Sequence, residues 1–510
     1  MHVIGLDIGT TGCKACVFDS DGTIKGYGFR EYDIICDDHG MAEQDADRVW
    51  YLTREVLKEA VAAAGATSIR ALGLSVQGDA IIPVSEQLVP LHNAILGMDY
   101  RSAPQAEECA RRFGERALYE CTGMRPHPMN SLVKMLWLRE NAPDVWGRTW
   151  KVMTYADFIT AKLCGEAVID FTMASRTMAF DLAQRTWATD LLGDLDIPLD
   201  RLSTPRPSGQ VVGTMSTQLT EELGLHSDIA VVTGGHDQTC AALGSGAITD
   251  RRAVISTGTA EVLSAAFAER PAGDSMYEGY YPCYLHAARD LFFTFSLNHA
   301  GGILFRWYRD TLGLPEVEKA NAAGTDPYTA IIAAMPPGPS PVMVLPHFNG
   351  SGTPTCDLQS RGAIVGLSLS TSRHDIAKAI LEALCFELRV NGERLRAAGL
   401  RHDEFVAVGG GAHSEAWLQM KADILGCPIR TLAVREAACL GAGLLAATAA
   451  GMYESIAEGV ERTVKTTRVL EPDDARHAQY NRRFEGYQSL YPSLKPVHAA
   501  LQQTGAANGD

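Results

Sequence analysis

Short apolar segments separated by glycine and threonine open the chain. Residues 3–6 (VIGL) are apolar, residues 9–12 (GTTG) have the composition of a turn, and residues 13–19 are again mostly apolar. Apolar runs of this length, bounded by turn residues, are typical of β-strands. The pattern therefore predicts a β-hairpin within the first twenty residues.

Helical and strand patterns alternate after this hairpin. Residues 46–64 have helical periodicity that ends at Gly65, and residues 69–75 have the pattern of a buried strand. Residues 131–141 look helical, and Pro143 ends that pattern. These elements predict an α/β fold.

A second hairpin of the same kind lies near the middle of the chain. A predicted strand at 229–233 leads to residues 234–237 (GGHD), and residues 253–266 then repeat the opening order of apolar strand, Gly/Thr turn and apolar strand. We therefore predict two related halves, 1–246 and 247–497. Residues 498–510 are rich in Ala, Gln and Gly, and we expect them to be frayed.

Length, composition and charge fit this division. The chain has 510 residues, 46% hydrophobic residues and a net charge of −16, which suits two large α/β domains. Nucleic acids and anionic membranes bind clustered Lys and Arg, and the sequence has no such run. It also has no apolar run long enough to span a bilayer and no pattern of a secretory signal. A cytoplasmic location without nucleic-acid or membrane partners is expected.

The cysteines suggest neither a disulfide framework nor a metal site. Twelve cysteines are scattered over the chain, too sparsely for a disulfide scaffold. Cys13 and Cys16 form a CxxC pair, but no second pair follows at zinc-finger spacing. We interpret both as small buried residues.

Asp7 lies inside the first apolar strand, directly before the Gly/Thr turn. A buried carboxylate costs free energy unless its charge is used. Backbone N–H groups of such a turn bind anions, and a carboxylate beside phosphates commonly holds Mg²⁺ through water. A hairpin turn with Asp7 as a local cap is the alternative. We predict a phosphate site with Asp7 near the metal.

Three consecutive glycines, 409–411, follow a predicted strand at 405–408 and precede a helical stretch at 415–425. Such glycines let the backbone approach a planar or phosphorylated ligand. The sequence has no P-loop motif, and no GxGxxG follows the first strand. Two hairpins and a glycine-rich strand end, in this order, predict two ribonuclease H-like domains of the actin-like ATPase type, with a nucleotide cleft between them.

Two longer segments carry a more specific resemblance. Residues 129–141 (MNSLVKMLWLREN) and 362–382 are similar to the two signatures of the FGGY carbohydrate kinases, the family that includes glycerol kinase and xylulokinase. With the Asp7 turn and the glycine triplet, the resemblance extends over nearly the full length. It implies transfer of the γ-phosphoryl group of ATP, with Mg²⁺, to a small sugar or polyol, and a homodimer as the expected assembly.

The resemblance also implies roles for individual residues. The general base of the family corresponds to Asp237, which would contribute to the metal site with Asp7, although a turn-capping role is the structural alternative. The implied nucleotide-binding residues are Thr10, Thr11, Gly12, Lys14, Thr257, Gly258, Gly301, Gly302, Gly410, Gly411 and Ser414. The implied substrate-binding residues are Gln77, Gly78, Asp79, Met129, Asp237 and Gln238. Asp99 and Arg101 match a further family segment, and these two can equally pair with each other.

The residues at 78 and 79 bear on the substrate. Glycerol kinases resemble one another in an Arg-Glu pair there and xylulokinases in a Met-His pair, whereas this chain has Gly78 and Asp79. Asp79 would accept hydrogen bonds from adjacent hydroxyls, and Gly78 would leave space beside the substrate. We favour a pentulose such as D-xylulose. Substrates of the erythritol, L-xylulose or glycerol type are the alternatives.

Two other classes of protein share this fold. An actin-like or Hsp70-like ATPase would couple nucleotide hydrolysis to a partner, and a sugar-binding regulator would lack catalysis. The two family signatures speak against the ATPase, and the presence of both Asp7 and Asp237 disfavours the regulator, which has no need of both.

Overall fold

Two mixed β-sheets, one in each half of the chain, organise the fold. The computed structural model describes residues 1–506 except 38–39, 66–67 and 226–227. The strands of the first sheet are β1 (His2–Ile8), β2 (Gly12–Phe18), β3 (Ile24–Glu31), β4 (Ile69–Val76), β5 (Val211–Thr214) and β6 (Ala230–His236). Those of the second are β7 (Arg252–Thr257), β8 (Glu261–Phe267), β9 (Tyr284–Leu285), β10 (Phe292–Asn298), β11 (Glu404–Val408), β12 (Ile429–Leu432) and β13 (Thr466–Leu470).

The two sheets share a core topology. The first has the order β5-β6-β4-β1-β2-β3, and the second has the order β9-β10-β8-β7-β11-β12-β13. In each sheet, three antiparallel strands (β1–β3; β7, β8, β10) are followed by two strands parallel to the first (β4, β6; β11, β12). This duplication agrees with the predicted pair of ribonuclease H-like halves.

Helices cover the sheets and form the surfaces between them. Helices that carry site residues or pack on the sheets are α1 (Ala46–Ala64), α2 (Ser131–Asn141), α3 (Phe171–Arg176), α4 (Asp237–Gly244), α5 (Gly302–Thr311), α6 (Arg373–Ala397), α7 (Glu415–Leu425) and α8 (Ala437–Ala449). Other helices are Ala103–Phe113, Glu115–Thr122, Pro143–Arg148, Tyr155–Cys164, Thr189–Asp194, Thr217–Glu222, Ser275–Glu278, Leu314–Ala323, Pro327–Ala333, Ile456–Thr463, Asp474–Tyr487 and Leu490–Ala506. Short strands are Ile35–Cys36, Ala42–Gln44, Ile82–Val84, Ala94–Ile95, Lys151–Met153, Val168–Asp170, Phe180–Asp181, Thr186–Trp187, Thr204–Arg206, Met343–Leu345 and Ala363–Val365.

Local sequence signals explain several element boundaries. Asp45 caps α1 by accepting a hydrogen bond from the backbone N–H of Arg48, and Gly65 ends the helix with a φ of 55°. The segment from residue 498, predicted to be frayed, is helical as far as Ala506, and residues 507–510 lie outside the described residues. Cys13 and Cys16 are buried in β2, as predicted.

Membrane-spanning helices and clusters of metal-binding side chains are both absent from the described part of the chain. No helix there is long and apolar enough to cross a membrane. Nor do three or more His, Cys, Asp or Glu side chains of the described residues gather as a metal-binding group.

Helix α8 belongs to the second half by sequence but packs on the sheet of the first half. A Cβ atom on Gly5 would lie 1.9 Å from the carbonyl oxygen of Cys439. One on Gly73 would lie 2.2 Å from that of Ala442. Helices α4 and α8 meet in the same way, since a Cβ on Gly441 would lie 2.0 Å from the carbonyl oxygen of Cys240. The halves are therefore joined by backbone contacts that only glycine permits.

We expect Gly5→Ala to lower Tm, because the new methyl group must push α8 off β1. Overpacking of this kind typically costs about 1–3 kcal/mol. Gly147→Ala is the control, because a Cβ there meets nothing within 4 Å and Ala is favoured over Gly in a helix by about 0.5–1 kcal/mol. Scanning calorimetry of both variants checks the contact, and a Gly5→Ala Tm equal to the wild-type value would refute it.

Candidate active site

The candidate base, Asp237, begins α4 directly after β6. Its side chain is 31% exposed, and its Oδ1 lies 3.2 Å from Nε2 of His236. Burial raises the pKa of Asp237 to about 7, nearby Asp7 raises it further, and Arg176 opposes both effects. A carboxyl that titrates near neutrality is well suited to accept a proton from a hydroxyl group.

His236 occupies the space beside Gly78. Its Nδ1 lies 3.1 Å from the hydroxyl of Tyr284, a residue of the second half. Burial lowers the pKa of His236 well below its ordinary value, so the imidazole is neutral. A Cβ on Gly78 would lie 2.8 Å from His236 Nε2. This corrects the expectation that Gly78 leaves room for substrate, because the histidine ring fills that room.

The turn at residues 9–12, predicted to bind phosphate, is fixed by hydrogen bonds from polar side chains to its carbonyl groups. Tyr32 donates a hydrogen bond of 2.5 Å to the carbonyl of Gly9, and Gln77 donates one of 3.2 Å to the same oxygen. The side-chain amide of Gln44 donates to the carbonyl of Thr10. Since these carbonyls are bound by protein, the half-buried Thr10 and exposed Thr11 are left to offer N–H and hydroxyl groups to an anion.

The register of the first sheet places three polar side chains together. Asp7 lies opposite Lys14 on β2 and Ser75 on β4, and its Oδ1 accepts a 2.7 Å hydrogen bond from Ser75. Nζ of Lys14 lies 3.7 Å from Asp7 Oδ2 and 2.7 Å from Oε2 of Glu436. Burial raises the pKa of Asp7, against the opposing effect of Lys14. Lys14 is thus shared between Asp7 and a carboxylate of the second half.

The second turn, at residues 256–259, differs from the first because a buried ion pair lies beneath it. Thr257 is buried, and its hydroxyl donates a 2.7 Å hydrogen bond to Glu261 and accepts one of 2.7 Å from Lys421. Nζ of Lys421 also lies 2.6 Å from the Glu261 carboxylate. A Cβ on Gly258 would meet nothing within 4 Å. The Thr257 hydroxyl is therefore engaged inside the protein. The backbone N–H of Gly258 is bound to the carbonyl of Ala260 at 3.0 Å, so Gly258 gives the turn an uncovered surface rather than a free backbone donor.

The other predicted nucleotide residues converge on this turn. The N–H of Gly302 donates to the carbonyl of Gly258 at 2.8 Å, and that of Gly301 donates to Thr259 at 3.0 Å. A Cβ on Gly411 would lie 2.7 Å from Cβ of Thr257.

Beside the turn lies a cavity of about 670 Å³ lined by residues that include Val408, Gly409, His413, Glu415, Val434 and Arg435. Gly410 and Gly411 are neighbours of that lining, and Ser414 caps α7. A cavity of this size at a glycine-rich strand end can hold a nucleoside.

A buried ion pair lies at the predicted substrate side of the site. Nη2 of Arg176 lies 2.5 Å from Oδ2 of Asp79, and both side chains are at most 5% exposed. Asp79 has a positive φ of 68°, which for a residue other than glycine indicates local strain. The ammonium of the fully buried Lys134 donates to the carbonyls of Asp79, at 2.9 Å, and Met129, at 2.5 Å. Burial lowers the pKa of Lys134 to about 7.

Sequence reasoning did not identify Arg176 or Lys134 as site residues. Arg176 is a lone charge in the otherwise uncharged stretch 171–180 (FTMASRTMAF), and that isolation is its only sequence signal. It contacts Asp79, 97 positions earlier in the chain. Lys134 lies within the first family signature, and its burial could not be inferred from the letter pattern.

Of the remaining predicted substrate residues, some are hydrogen-bonded within the protein and others are half-buried. The amide of Gln77 is bound to the first turn and to Gln44. Met129 and Gln238 are half-buried. Asp99 and Arg101 pair with each other, with Nε 2.9 Å from Oδ1, so the structure has the mutual pair that was one of the two expectations.

Two duplicated halves, each with a Gly/Thr turn in its first hairpin, define the actin-like ATPase fold. The chain belongs to the FGGY family of carbohydrate kinases. The model of the family's N-terminal domain matches residues 2–244, and the model of its C-terminal domain matches residues 253–450. The protein is therefore a carbohydrate kinase that phosphorylates an alcohol group, and its family uses ATP.

Full-length relatives agree with this assignment. The chain is 28% identical over 508 residues to a xylulose kinase of Staphylococcus epidermidis, covering 98% of each chain. It is 30% identical over 501 residues to a glycerol kinase of Halorhodospira halophila, covering 94% of each. The structure of ligand-bound xylulose kinase from Lactobacillus acidophilus superposes with a TM-score of 0.89 at 25% identity, over 98% of this chain and 99% of that one. These similarities do not support the Hsp70-like alternative.

Lys134→Met should weaken sugar binding, because the Asp79 and Met129 carbonyls lose their common donor and Asp79 is free to leave its strained conformation. At about 1 kcal/mol for each hydrogen bond lost, we expect the sugar KM to rise roughly tenfold or more while the ATP KM is unchanged. Steady-state kinetics with each substrate varied in turn measures both.

Lys151→Met is the matched control. Lys151 also donates to two carbonyls, those of Asp200 and Leu202, each at 2.9 Å, but it lies outside the candidate site. An unchanged sugar KM in Lys134→Met, or an equal rise in both variants, would contradict a specific role for Lys134.

Proposed function

We propose that this carbohydrate kinase transfers the γ-phosphoryl group of ATP to a hydroxyl of a small open-chain sugar, with a pentulose such as D-xylulose as the favoured substrate. The observation that carries the proposal is Asp237, whose carboxyl has a pKa of about 7 and a buried Oδ1 without a hydrogen-bond partner among the described residues. The names of relatives such as the Staphylococcus epidermidis xylulose kinase support the pentulose.

Asp237 acts as the general base in the proposed reaction. It accepts the proton of the sugar hydroxyl as that oxygen bonds to the γ-phosphorus atom and the bond from γ-phosphorus to the β-phosphate oxygen breaks, releasing ADP. The two Thr/Gly turns hold the phosphates, and Asp79 holds hydroxyls of the sugar. Since phosphoryl transfer depends mainly on positioning and charge neutralisation, these residues suffice for the protein's part.

The two aspartates fit a magnesium ion. Asp7 raises the pKa of Asp237, so the carboxylates repel each other, and a cation relieves that repulsion. Magnesium needs few protein ligands because it keeps several waters and binds substrate phosphates. Bound Mg²⁺ would neutralise charge on the phosphates, while Asp7 and Asp237 would hold it, in part through water.

Asp237→Asn should abolish sugar-dependent ADP release, because the amide cannot accept the proton. General bases contribute about 10²- to 10⁴-fold to turnover, and the nucleotide Kd should stay near the wild-type value. A coupled ADP assay with pentuloses, hexuloses and polyols, together with calorimetry of nucleotide binding, provides the measurements. Asp144→Asn, on an exposed helix, is the control. Near-normal turnover of Asp237→Asn would eliminate it as the base.

The same panel decides the substrate. If kcat/KM is greatest for D-xylulose, the result supports the favoured substrate. If it is greater for an erythritol-type polyol, L-xylulose or glycerol, that compound becomes the assigned substrate instead. ADP release that needs no acceptor would instead point to an ATPase, and sugar binding without ADP release to a regulator.

The pH dependence of kcat/KM should report Asp237. The free enzyme needs its deprotonated carboxylate, so kcat/KM should fall about tenfold per unit as pH drops below about 7 and level off above it. Lys134 has a pKa in the same range, so the profile is also measured in Lys134→Met, where the acid limb should persist. A wild-type profile that is flat from pH 5.5 to 8 would rule out the assignment.

A further inference from the structure

Arg176 carries more hydrogen-bonding capacity than its surroundings use. Only Nη2 is paired, with Oδ2 of Asp79. Among the described residues, Arg176 Nε and Nη1 and Asp79 Oδ1 have no hydrogen-bond partner although all are buried. Leaving buried charged groups unsatisfied is unfavourable, so these atoms indicate a place where a polar ligand binds.

The unpaired atoms surround the region next to the candidate base. The Cβ position of Gly78 is 3.6 Å from Arg176 Nε and 2.8 Å from His236 Nε2, and His236 Nε2 is 3.2 Å from Asp237 Oδ1. Asp237 Oδ1 is also unpaired within the described chain. Arg176 Nε and Asp237 Oδ1 therefore both lie near the His236 ring, and the Arg176 side chain is held to Asp79 by its Nη2.

We propose that Arg176 is a substrate-binding residue which, together with Asp79, recognises one hydroxyl of the sugar, so that the site takes uncharged polyhydroxylated compounds and rejects sugar acids. A hydroxyl oxygen accepts from Arg176 while its proton is donated to Asp79 Oδ1, and no other common group of a sugar does both. This inference rests on the proposed function, since it assigns the substrate class of the same site.

The charge of the site explains the rejection of sugar acids. An arginine in a sugar pocket commonly pairs with a carboxylate, but here the guanidinium is already paired with Asp79. Asp7 and Asp237 add two further carboxylates. Lys14 is shared by Asp7 and Glu436, and Arg176 is bound to Asp79. Because the acidic groups here outnumber the basic ones even when Lys134 is counted, a carboxylate ligand adds to an excess of negative charge, whereas a hydroxyl adds no charge.

Two fixed features support a recognition role over a purely structural one. The strained backbone of Asp79 is held by Lys134 and by Ser131, whose hydroxyl donates to the Asp79 carbonyl at 3.2 Å. The Arg176 guanidinium carbon lies 5.2 Å from the Tyr284 ring centre and 5.5 Å from that of Phe295. Held on both sides, the pair keeps its unpaired atoms in place before a ligand arrives, which lowers the entropic cost of binding.

Kinetics and calorimetry with D-xylulose, xylitol and D-gluconate test the proposal. In the wild type we expect binding and ADP release with at least one of the two uncharged compounds and neither with D-gluconate. Arg176→Met should raise the KM of the accepted compound about 10- to 100-fold while the ATP KM stays constant. Arg54→Met, which breaks a surface pair with Glu222, is the control and should change neither.

A second variant covers the case in which Arg176→Met does not fold. Asp79→Asn has nearly the same shape and leaves Arg176 charged, so D-gluconate binding should appear or strengthen by calorimetry while xylulose binding weakens. Circular dichroism confirms folding of each variant. An Asp79→Asn enzyme that still excludes D-gluconate and keeps its affinity for the uncharged compound would overturn the charge argument.

The outcomes separate this proposal from the proposed function. Wild-type turnover of D-gluconate as efficient as that of D-xylulose, or an unchanged sugar KM in Arg176→Met, overturns the inference alone. If no compound releases ADP, the proposed reaction is wrong, yet selective calorimetric binding of an uncharged compound that Arg176→Met loses would still uphold the inference. Binding of none of the three overturns it.

Discussion

The close packing of α8 on β1, β4 and α4 is the contact on which the geometry of the site depends. Glycines at positions 5, 73 and 441 let the backbones touch, and each of these elements also leads to a functional position. β1 carries Asp7, β4 runs into Gly78 and Asp79, α4 begins with Asp237, and Glu436 directly precedes α8. A shift of α8 would therefore displace the candidate base, the carboxylate of Asp7 proposed to hold the metal and the Lys14–Glu436 bridge together.

The duplicated hairpins differ in how completely their buried charges are compensated. In the first half, Asp7 is buried with raised pKa and is only partly compensated by Lys14, 3.7 Å away. In the second half, Glu261 and Lys421 form a fully buried ion pair of 2.6 Å under the turn. The incompletely compensated charge of Asp7 can attract a cation to the first turn, whereas the charges beneath the second turn compensate each other. The same topology thus carries an incompletely compensated carboxylate in the first half and a closed ion pair in the second.

Local patterns were sufficient to predict the parts of the fold that local interactions determine. Helix α1, with its Asp45 cap and Gly65 end, and helix α2 lie where the periodicity places them, because caps and apolar spacing act within a few residues. The duplicated hairpins were recognisable for the same reason. Asp7 stood out because a carboxylate in an apolar strand is unusual, and Asp237 because it matches a family segment.

The substrate side could not be predicted in this way because its contacts connect distant segments. Arg176 meets Asp79 across 97 positions, and the interpretation of Gly78 as open space failed because His236, far along the chain, fills it. The packing of α8 on the first sheet could not be predicted either. No sequence pattern indicates that Gly5 and Gly73 contact residues 439 and 442, which lie more than 350 positions later. Long-range packing, rather than propensity, decides these features.

The substrate side also joins the two halves. Arg176 belongs to the first half but lies against the rings of Tyr284 and Phe295 from the second, and His236 meets the Tyr284 hydroxyl at 3.1 Å. A sugar that engages Arg176 would therefore strengthen a contact between the halves rather than only fill the first one. Because the second half carries Gly258 and the neighbouring nucleotide cavity, closure around the sugar would bring the phosphate turns toward Asp237 and exclude water. Recognition of the acceptor and protection of ATP from hydrolysis would then be two consequences of the same contact at Tyr284.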